Sequence, residues 1–334
     1  MSELPDAVPS EAAALPDVVS LHGLPERVTI WEVGARDGLQ NEPGIIDTGV
    51  KVEFIQRLAA AGLPIVESTS FVRPEWVPQL ADAREVMSGI TRREGTRYPV
   101  LVPNLRGLQG AIDVGATDIA VFASATETFA QKNLNRSLAT QMEMFAPVIT
   151  AAVAHGMTVR GYVSMCFGDP WEGRVPPQQV IDVCRQLVDA GCTSLSLGDT
   201  IGVATPGQVT GLLGELADAG IALDTVGVHF HDTYGQALAN TFASLQAGIT
   251  TVDSSAGGLG GCPYAKSATG NLATEDLVWM LDGLGIDTGV DLPALVETSV
   301  WLAGHLGRPS PSRVVTALAR GASGQRVLQR PDAI

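Results

Sequence analysis

Two histidines, His229 and His231, stand two residues apart in the segment His229-Phe230-His231-Asp232. Side chains of a β-strand alternate between its two faces, so both imidazoles project from one face if this segment ends a strand. Two imidazoles together with a carboxylate from another strand make a good site for a divalent metal ion. The pair alone fits a polar strand end equally well, so its interpretation depends on what lies beside it.

Asp37 is the carboxylate that we expect to complete this site. It follows the apolar run Val28–Val33, and active sites of α/β barrels form where polar residues follow the strands. The amide oxygen of Asn271 can supply a further ligand. Because these ligands offer oxygen and no thiolate pair, they favour Mg²⁺ or Mn²⁺ over structural Zn²⁺.

Three further residues have types that suit catalysis. The guanidinium of Arg36 can stabilise negative charge on a substrate oxygen, or it can form an ordinary salt bridge. Glu67 follows an apolar run, where a buried carboxylate needs a partner such as Arg36 or a substrate group. Cys262 follows a segment in which four of five residues are glycine, which allows backbone and ligand to approach closely. Its thiol can act as a nucleophile or as a general acid.

Short apolar runs alternate with amphipathic segments from Val28 onward, which predicts βα units around a parallel sheet. Eight such units predict an α/β fold of the TIM (β/α)8 barrel type. The predicted strands are Val28–Val33, Ile65–Ser68, Tyr98–Val102, Asp118–Ala123, Thr158–Val163, Ser194–Leu197, Thr225–Phe230 and Thr250–Asp253. The additional C-terminal helices expected beyond the barrel are Glu275–Leu281, Leu292–Leu306 and Pro311–Ala319.

These elements divide the chain into one catalytic domain with an addition at each end. We expect residues 1–25, which are rich in Ala, Pro, Asp and Glu, to be a disordered extension without a signal peptide. Residues 26–285 form the predicted TIM-barrel domain. Residues 286–334 form a predicted helical extension that serves as a cap or as a contact in a homo-oligomer, which we expect to be a dimer.

Composition excludes several classes of function. With 45 % hydrophobic and 17 % charged residues, the chain has the composition of a globular protein with a sizeable core. A net charge of −15 argues against nucleic acid or an anionic membrane surface as a partner. The four cysteines form no CxxC pair, which predicts reduced thiols and a cytoplasmic protein. No apolar stretch reaches the roughly 20 residues that cross a bilayer.

Several segments taken together resemble the 3-hydroxy-3-methylglutaryl-CoA lyase family, from Val28 to about Leu318. The segments that carry the resemblance are Glu32–Glu42, Glu67–Val72, Ser196–Gly202, His229–Asn240 and Gly257–Asn271. The resemblance implies an acyl-CoA substrate and a divalent cation. It implies Asp37, His229, His231 and Asn271 as metal ligands, and Arg36, Glu67 and Cys262 as further catalytic residues.

The resemblance also implies a reaction, the retro-Claisen cleavage of 3-hydroxy-3-methylglutaryl-CoA to acetyl-CoA and acetoacetate. The metal ion would lower the pKa of the substrate's tertiary hydroxyl. His229 or a metal-bound water would take the hydroxyl proton. Arg36 would then stabilise the acetyl-CoA enolate, and Cys262 would protonate its carbon.

Other functions fit the same sequence. A related lyase would act on an analogue with a longer side chain, and an enzyme of the wider superfamily would catalyse the reverse condensation. An aldolase of the 4-hydroxy-2-oxo-acid kind would release pyruvate. A binding or regulatory protein that kept the barrel without catalysis would bind metal and turn over no acyl-CoA, since a fold does not fix a function.

Overall fold

The computed structural model describes residues 16–261 and 270–319. Its nine strands are β1 (Thr29–Glu32), β2 (Ile65–Val66), β3 (Thr69–Ser70), β4 (Val100–Leu101), β5 (Asp118–Ser124), β6 (Thr158–Ser164), β7 (Ser194–Asp199), β8 (Val226–Phe230) and β9 (Thr251–Ser254). Its helices are α1 (Thr48–Ala60), α2 (Ala83–Gly89), α3 (Leu105–Asp113), α4 (Glu127–Leu134), α5 (Gln141–Ala154), α6 (Pro177–Ala190), α7 (Pro206–Asp218), α8 (Ala237–Gln246), α9 (Thr274–Gly283), α10 (Leu292–Leu306) and α11 (Arg313–Leu318). The named strand pairs are all parallel.

The sheet closes through a strand that is split in two. Where a single strand Ile65–Ser68 was predicted, β2 pairs with β1 and β3 pairs with β4. The backbone N–H of Glu67 donates to the carbonyl oxygen of Glu32 at 2.8 Å, and that of Ser68 donates to Pro99 at 2.9 Å. The segment that contains β2 and β3 therefore bonds to β1 on one side and to β4 on the other. This closes the sheet, and the predicted TIM barrel is confirmed.

The first βα unit shows why the sequence folds as it does. The apolar run of β1 is buried on both faces, as parallel strands under helices must be. Asp47 caps α1, since its carboxylate accepts the N–H of Gly49 at 2.8 Å. The chain leaves the helix at Gly62, which has φ of +93°, and a side chain there would collide with the carbonyl of Gly289.

The helices after β9 differ in part from the prediction. α9 is the first α-helix after β9 among the described residues and packs beside α8, so it is the helix of the eighth barrel unit and not an addition. The additional helices are α10, which packs against α1, and α11, which packs against α9 and α10. The domain boundary at residue 285 stays a prediction. Residues 16–25 are the described part of the predicted N-terminal extension, and within them the backbone N–H of Val19 donates to the carbonyl oxygen of Gly283 at 2.9 Å. No helix in the described ranges is long and apolar enough to cross a membrane.

Candidate active site

The predicted metal ligands converge at the carboxyl ends of the strands. Asp37 lies in a π-helical turn, Gly34–Gly38, directly after β1. His229 lies in β8 and His231 follows that strand, with their ring centroids 5.3 Å apart. One ligand atom from each of Asp37, His229 and His231 lies within 4.8 Å of the others. Asn271 pairs with His231 through a backbone bridge and donates its Nδ2 to Asp37 at 2.8 Å.

Two atoms of this cluster have the properties of metal ligands. The Oδ1 of Asn271 and the Nδ1 of His231 are buried and accept no hydrogen bond from any described residue. An unsatisfied polar atom in a protein interior costs about 1–3 kcal/mol. A divalent cation would satisfy both atoms, so the residues present fit a metal ion. Imidazole nitrogens together with carboxylate and carboxamide oxygens suit a divalent cation.

Charge in the cluster also suits a cation. Burial alone would raise the pKa of the Asp37 carboxyl, but the adjacent Arg36 and the two imidazoles outweigh it and lower the pKa to about 2. Burial lowers the pKa of His231 to about 4. At neutral pH the carboxylate is therefore ionised and His231 is neutral, and those are the forms that bind metal.

Arg36 is held beside the ligands by two carboxylates. Its Nε donates to Glu67 at 2.5 Å and its Nη1 donates to Asp37 at 2.6 Å. Glu67 is fully buried, and its second oxygen accepts from Trp31 Nε1 at 2.9 Å and from the hydroxyl of Tyr162. With both oxygens occupied, Glu67 orients Arg36, which was one of the two partners expected for it.

Sequence reasoning missed the residues beneath this cluster. Tyr162, Arg160, Ser196 and Asp253 lie inside strands β6, β7 and β9, and all are buried. One signal was available, because Arg160, Tyr162 and Ser164 alternate along a strand where a parallel sheet normally has apolar residues on both faces.

A cavity of about 850 Å³ opens above the metal ligands. Its inner end contains Arg36, Asp37, His229 and His231. Its outer part carries basic and amide side chains, among them Arg73, Lys132, Asn133, Asn135 and Arg136. A cavity of this size suits a ligand of substantial length, and basic groups at its mouth in an acidic protein suit an anionic one.

The predicted catalytic Cys262 lies outside the described residues. The residue before it, Gly261, lines the cavity, and its carbonyl oxygen accepts the side-chain Nδ2 of Asn41 at 3.2 Å. The segment that leads to Cys262 therefore starts at the edge of the cavity.

Two buried glutamates hold the base of this glycine-rich loop. Glu275 accepts the backbone N–H of Gly257 at 2.8 Å and the hydroxyl of Ser299. Glu32 accepts the N–H groups of Gly34 at 2.7 Å and Ala256 at 2.9 Å. The start of the connection after β9 is thus fixed by two buried glutamate side chains, neither of which lines the cavity.

Glu275 makes the stability of the protein depend on pH. Burial raises the pKa of Glu275 to about 8, above its ordinary value of 4.5, so the folded chain holds a proton that the unfolded chain loses. Between these values the free energy of unfolding falls as pH rises, by at most about 1.4 kcal/mol per pH unit from this group. We expect Glu275→Gln to remove that contribution.

Denaturant unfolding at a series of pH values measures this effect. Relative to wild type, the Glu275→Gln variant should gain stability steadily from about pH 5 to pH 8. Glu297→Gln is the matched control, because Glu297 is exposed on α10 and its replacement should leave the pH dependence unchanged. A constant difference between Glu275→Gln and wild type would contradict the argument.

A parallel barrel whose polar side chains converge at the carboxyl ends of its strands is an enzyme of the TIM-barrel class. A family model described as HMGL-like matches residues 27–301. The mitochondrial hydroxymethylglutaryl-CoA lyase of Arabidopsis thaliana is 54 % identical over 298 residues, which are 89 % of this chain and 64 % of that protein. The chain belongs to the HMGL-like family.

Solved structures agree with this assignment. The hydroxymethylglutaryl-CoA lyase of Pseudomonas aeruginosa is 49 % identical and superposes with a TM-score of 0.87, over 89 % of this chain and 98 % of that one. An HMG-CoA lyase from Acinetobacter baumannii, solved in complex with coenzyme A and 3-methylmalate, is 33 % identical with a TM-score of 0.84. That comparison covers 94 % of this chain and 99 % of the other.

Proposed function

We propose that the protein is a carbon–carbon lyase that cleaves 3-hydroxy-3-methylglutaryl-CoA to acetyl-CoA and acetoacetate. The observation that carries the proposal is the position of Arg36, which lies 2.6 Å from Asp37 and lines the same cavity as Asp37, His229 and His231. The names and identities of the relatives support the same substrate. Asp37, His229, His231 and Asn271 would hold Mg²⁺ or Mn²⁺.

The bound cation supplies a Lewis acid that lowers the pKa of the substrate hydroxyl. Arg36 lies next to this position with two carboxylates fixing its guanidinium, so its remaining N–H groups are oriented before the substrate arrives. They stabilise the negative charge that develops on the thioester oxygen as the bond between C2 and C3 breaks. Cys262, whose loop begins at the cavity, donates the proton to the enolate carbon.

His229 has two assigned roles that exclude each other. Its Nδ1 lies 3.2 Å from Asp253, which leaves Nε2 as the nitrogen for the site. A nitrogen that binds a cation has no lone pair for a proton. We assign His229 to the metal, and the hydroxyl proton would then go to water, since a metal-bound water is the other base that the resemblance implies.

The test is the release of acetyl-CoA and acetoacetate from 3-hydroxy-3-methylglutaryl-CoA by metal-free protein, before and after addition of Mn²⁺. We expect cleavage that requires the cation and that is lost in Cys262→Ala. If the fully metallated protein releases no product from this substrate but cleaves a longer-chain analogue, the acyl group proposed here is wrong. Metal binding without turnover of any acyl-CoA would overturn the lyase itself.

The basic residues at the mouth of the cavity should bind the phosphates of coenzyme A. We expect the double change Arg73→Gln and Arg136→Gln to raise KM for the acyl-CoA by at least about tenfold, since even one lost hydrogen bond to a charged group costs about 1.5–3 kcal/mol. The kcat should stay within about twofold, because these contacts are equal in ground state and transition state. Steady-state kinetics measure both values.

Arg84→Gln is the control for this change. Arg84 is exposed and pairs with Asp113 at 2.9 Å, and it does not line the cavity. Its replacement should leave KM unaltered. A loss that falls on kcat alone in the double variant would show that the mouth residues act in the chemical step instead.

We also propose a cytoplasmic location and a homodimer. Cys166, Cys184 and Cys192 are free and buried, which supports a reducing compartment. Val300 on α10 is 40 % exposed, which supports a contact through the C-terminal helices. Light scattering of the purified protein tests the dimer, and localisation of a tagged chain tests the compartment.

A further inference from the structure

Asp253 lies beside His229 on the neighbouring strand of the barrel. The two residues are paired across the parallel strands β8 and β9, and the side chain of Asp253 is 0 % exposed. Its Oδ2 accepts the hydroxyl of Ser196 at 2.9 Å and lies 3.2 Å from the Nδ1 of His229. An ionised carboxylate only accepts hydrogen bonds, so this contact places the imidazole proton on Nδ1.

Arg160 provides the opposite charge for Asp253. Its Nη2 lies 2.8 Å from Asp253 Oδ1, and its side chain is 1 % exposed. The guanidinium carbon lies 4.0 Å from the ring centroid of Trp31 and 5.1 Å from that of Tyr162. These contacts fix the guanidinium in the closed interior, where an ion pair usually contributes little net stability. Net stability therefore does not explain the ion pair between Arg160 and Asp253.

Gly227 leaves room for this guanidinium. It stands two residues before His229 in β8, so it faces the same interior. A Cβ at this position would collide with Nη2 of Arg160. Gly227 does not have a positive φ, so its backbone conformation does not require glycine. Glycine is required because a side chain here would occupy the space of the Arg160 guanidinium.

We propose that Arg160 and Asp253 form a positioning pair that holds the His229 ring with its Nδ1 proton on Asp253 and its Nε2 presented to the metal site. The inference rests on the assignment of His229 as a metal ligand under the proposed function. His229 is oriented by a buried carboxylate that contacts Nδ1, the nitrogen opposite the one that it presents to the metal site. Such partners fix the tautomer and the ring orientation of a ligand.

Mn²⁺ binding to the metal-free full-length protein tests the pair, with electron paramagnetic resonance to measure the free ion. We expect Asp253→Asn to raise the Kd for Mn²⁺ by about 10- to 100-fold. Gly227→Ala removes no charge but displaces Arg160, and it should raise the Kd in the same direction by a smaller factor. Gly211→Ala is the matched control, because nothing lies within 4 Å of a Cβ at that position, and it should bind as wild type does.

Nitrogen NMR of histidine-labelled, metal-free protein gives a readout that a general loss of packing would not mimic. The signal assigned by comparison with His229→Asn should show the proton on Nδ1 in wild type and a change of tautomer in Asp253→Asn. If Asp253→Asn does not fold because Arg160 loses its partner, the charge-neutral double variant Arg160→Gln with Asp253→Asn replaces it in both measurements.

Either of two results overturns the inference: a folded variant without the Asp253 carboxylate whose Kd for Mn²⁺ stays within twofold of wild type, or a neutral wild-type His229 whose single ring proton is on Nε2. Neither measurement involves acyl-CoA. Protein that binds Mn²⁺ as expected but cleaves no substrate would therefore overturn the proposed function and leave the positioning pair in place.

Discussion

Replacing Asp37 with asparagine should weaken Mn²⁺ binding by at least about 100-fold, because changes behind the ligands alone already cost about 10- to 100-fold. Asp37 is the only carboxylate of the described ligand cluster. Asparagine keeps the size of the side chain but removes the negative charge. It also disturbs two neighbours, since Asp37 accepts from Arg36 at 2.6 Å and from Asn271 at 2.8 Å.

Calorimetric titration of the metal-free variant measures this loss, and product release at a fixed Mn²⁺ concentration should fall with it. Asp118→Asn is the matched control, because Asp118 begins β5 at the opposite end of the barrel and pairs with Arg97. That change should lower thermal stability and leave the Kd for Mn²⁺ unaltered. If Asp37→Asn binds Mn²⁺ nearly as wild type does, Asp37 is not a ligand.

Replacing Arg36 with glutamine should lower kcat by about 10²–10³-fold, the usual effect of removing a donor that stabilises an oxyanion. Arg36 remains charged at every accessible pH, because burial is opposed by Glu67 and Asp37, which raise the pKa of the guanidinium. The Kd for Mn²⁺ should change by a much smaller factor than kcat, since the variant keeps all four proposed metal ligands and alters only the hydrogen bond from Arg36 to Asp37. Arg36→Lys should recover only part of the rate, because lysine lacks the fork that contacts two carboxylates.

Stability must be separated from catalysis in this experiment. Loss of Arg36 leaves Glu67 buried without its cation, which costs about 3–5 kcal/mol, so kcat has to be measured well below the melting temperature. Arg97→Gln serves as the control, since Arg97 pairs with Asp118 at the far end of the barrel and should affect stability alone. A kcat within about threefold of wild type in folded Arg36→Gln would mean that the guanidinium does not act on the reacting oxygen.

The barrel and the metal cluster were predictable because each leaves a local pattern in the sequence. Strands buried on both faces appear as apolar runs, and the residues that follow them, such as Asp37 and His231, reach the same end of the barrel whatever their separation along the chain. The pairing of Glu67 with Arg36 also followed from local reasoning, since a buried carboxylate needs a partner.

The floor of the site was not predictable in the same way. Asp253 meets His229 because of the register between β8 and β9, and no spacing rule in one sequence supplies that register. Arg160 stands 69 residues before His229, and its position beneath the site depends on the closure of the whole barrel. The break between β2 and β3 was missed for a related reason, because it depends on which neighbours each half can reach.

The contacts of the last helices matter to anyone who would transplant this chemistry into a smaller protein. Ser299 donates to Glu275, and Ser310 donates to the carbonyl of Gly257 at 2.9 Å. Arg308 pairs with Glu42 across the same region. A chain that ended after the eighth unit would retain the nine described strands and the four proposed metal ligands. The glycine-rich loop would nevertheless lose the hydrogen bond from Ser310 to Gly257 and the support that Ser299 gives to Glu275. The smallest fragment that keeps these contacts therefore extends at least to residue 310.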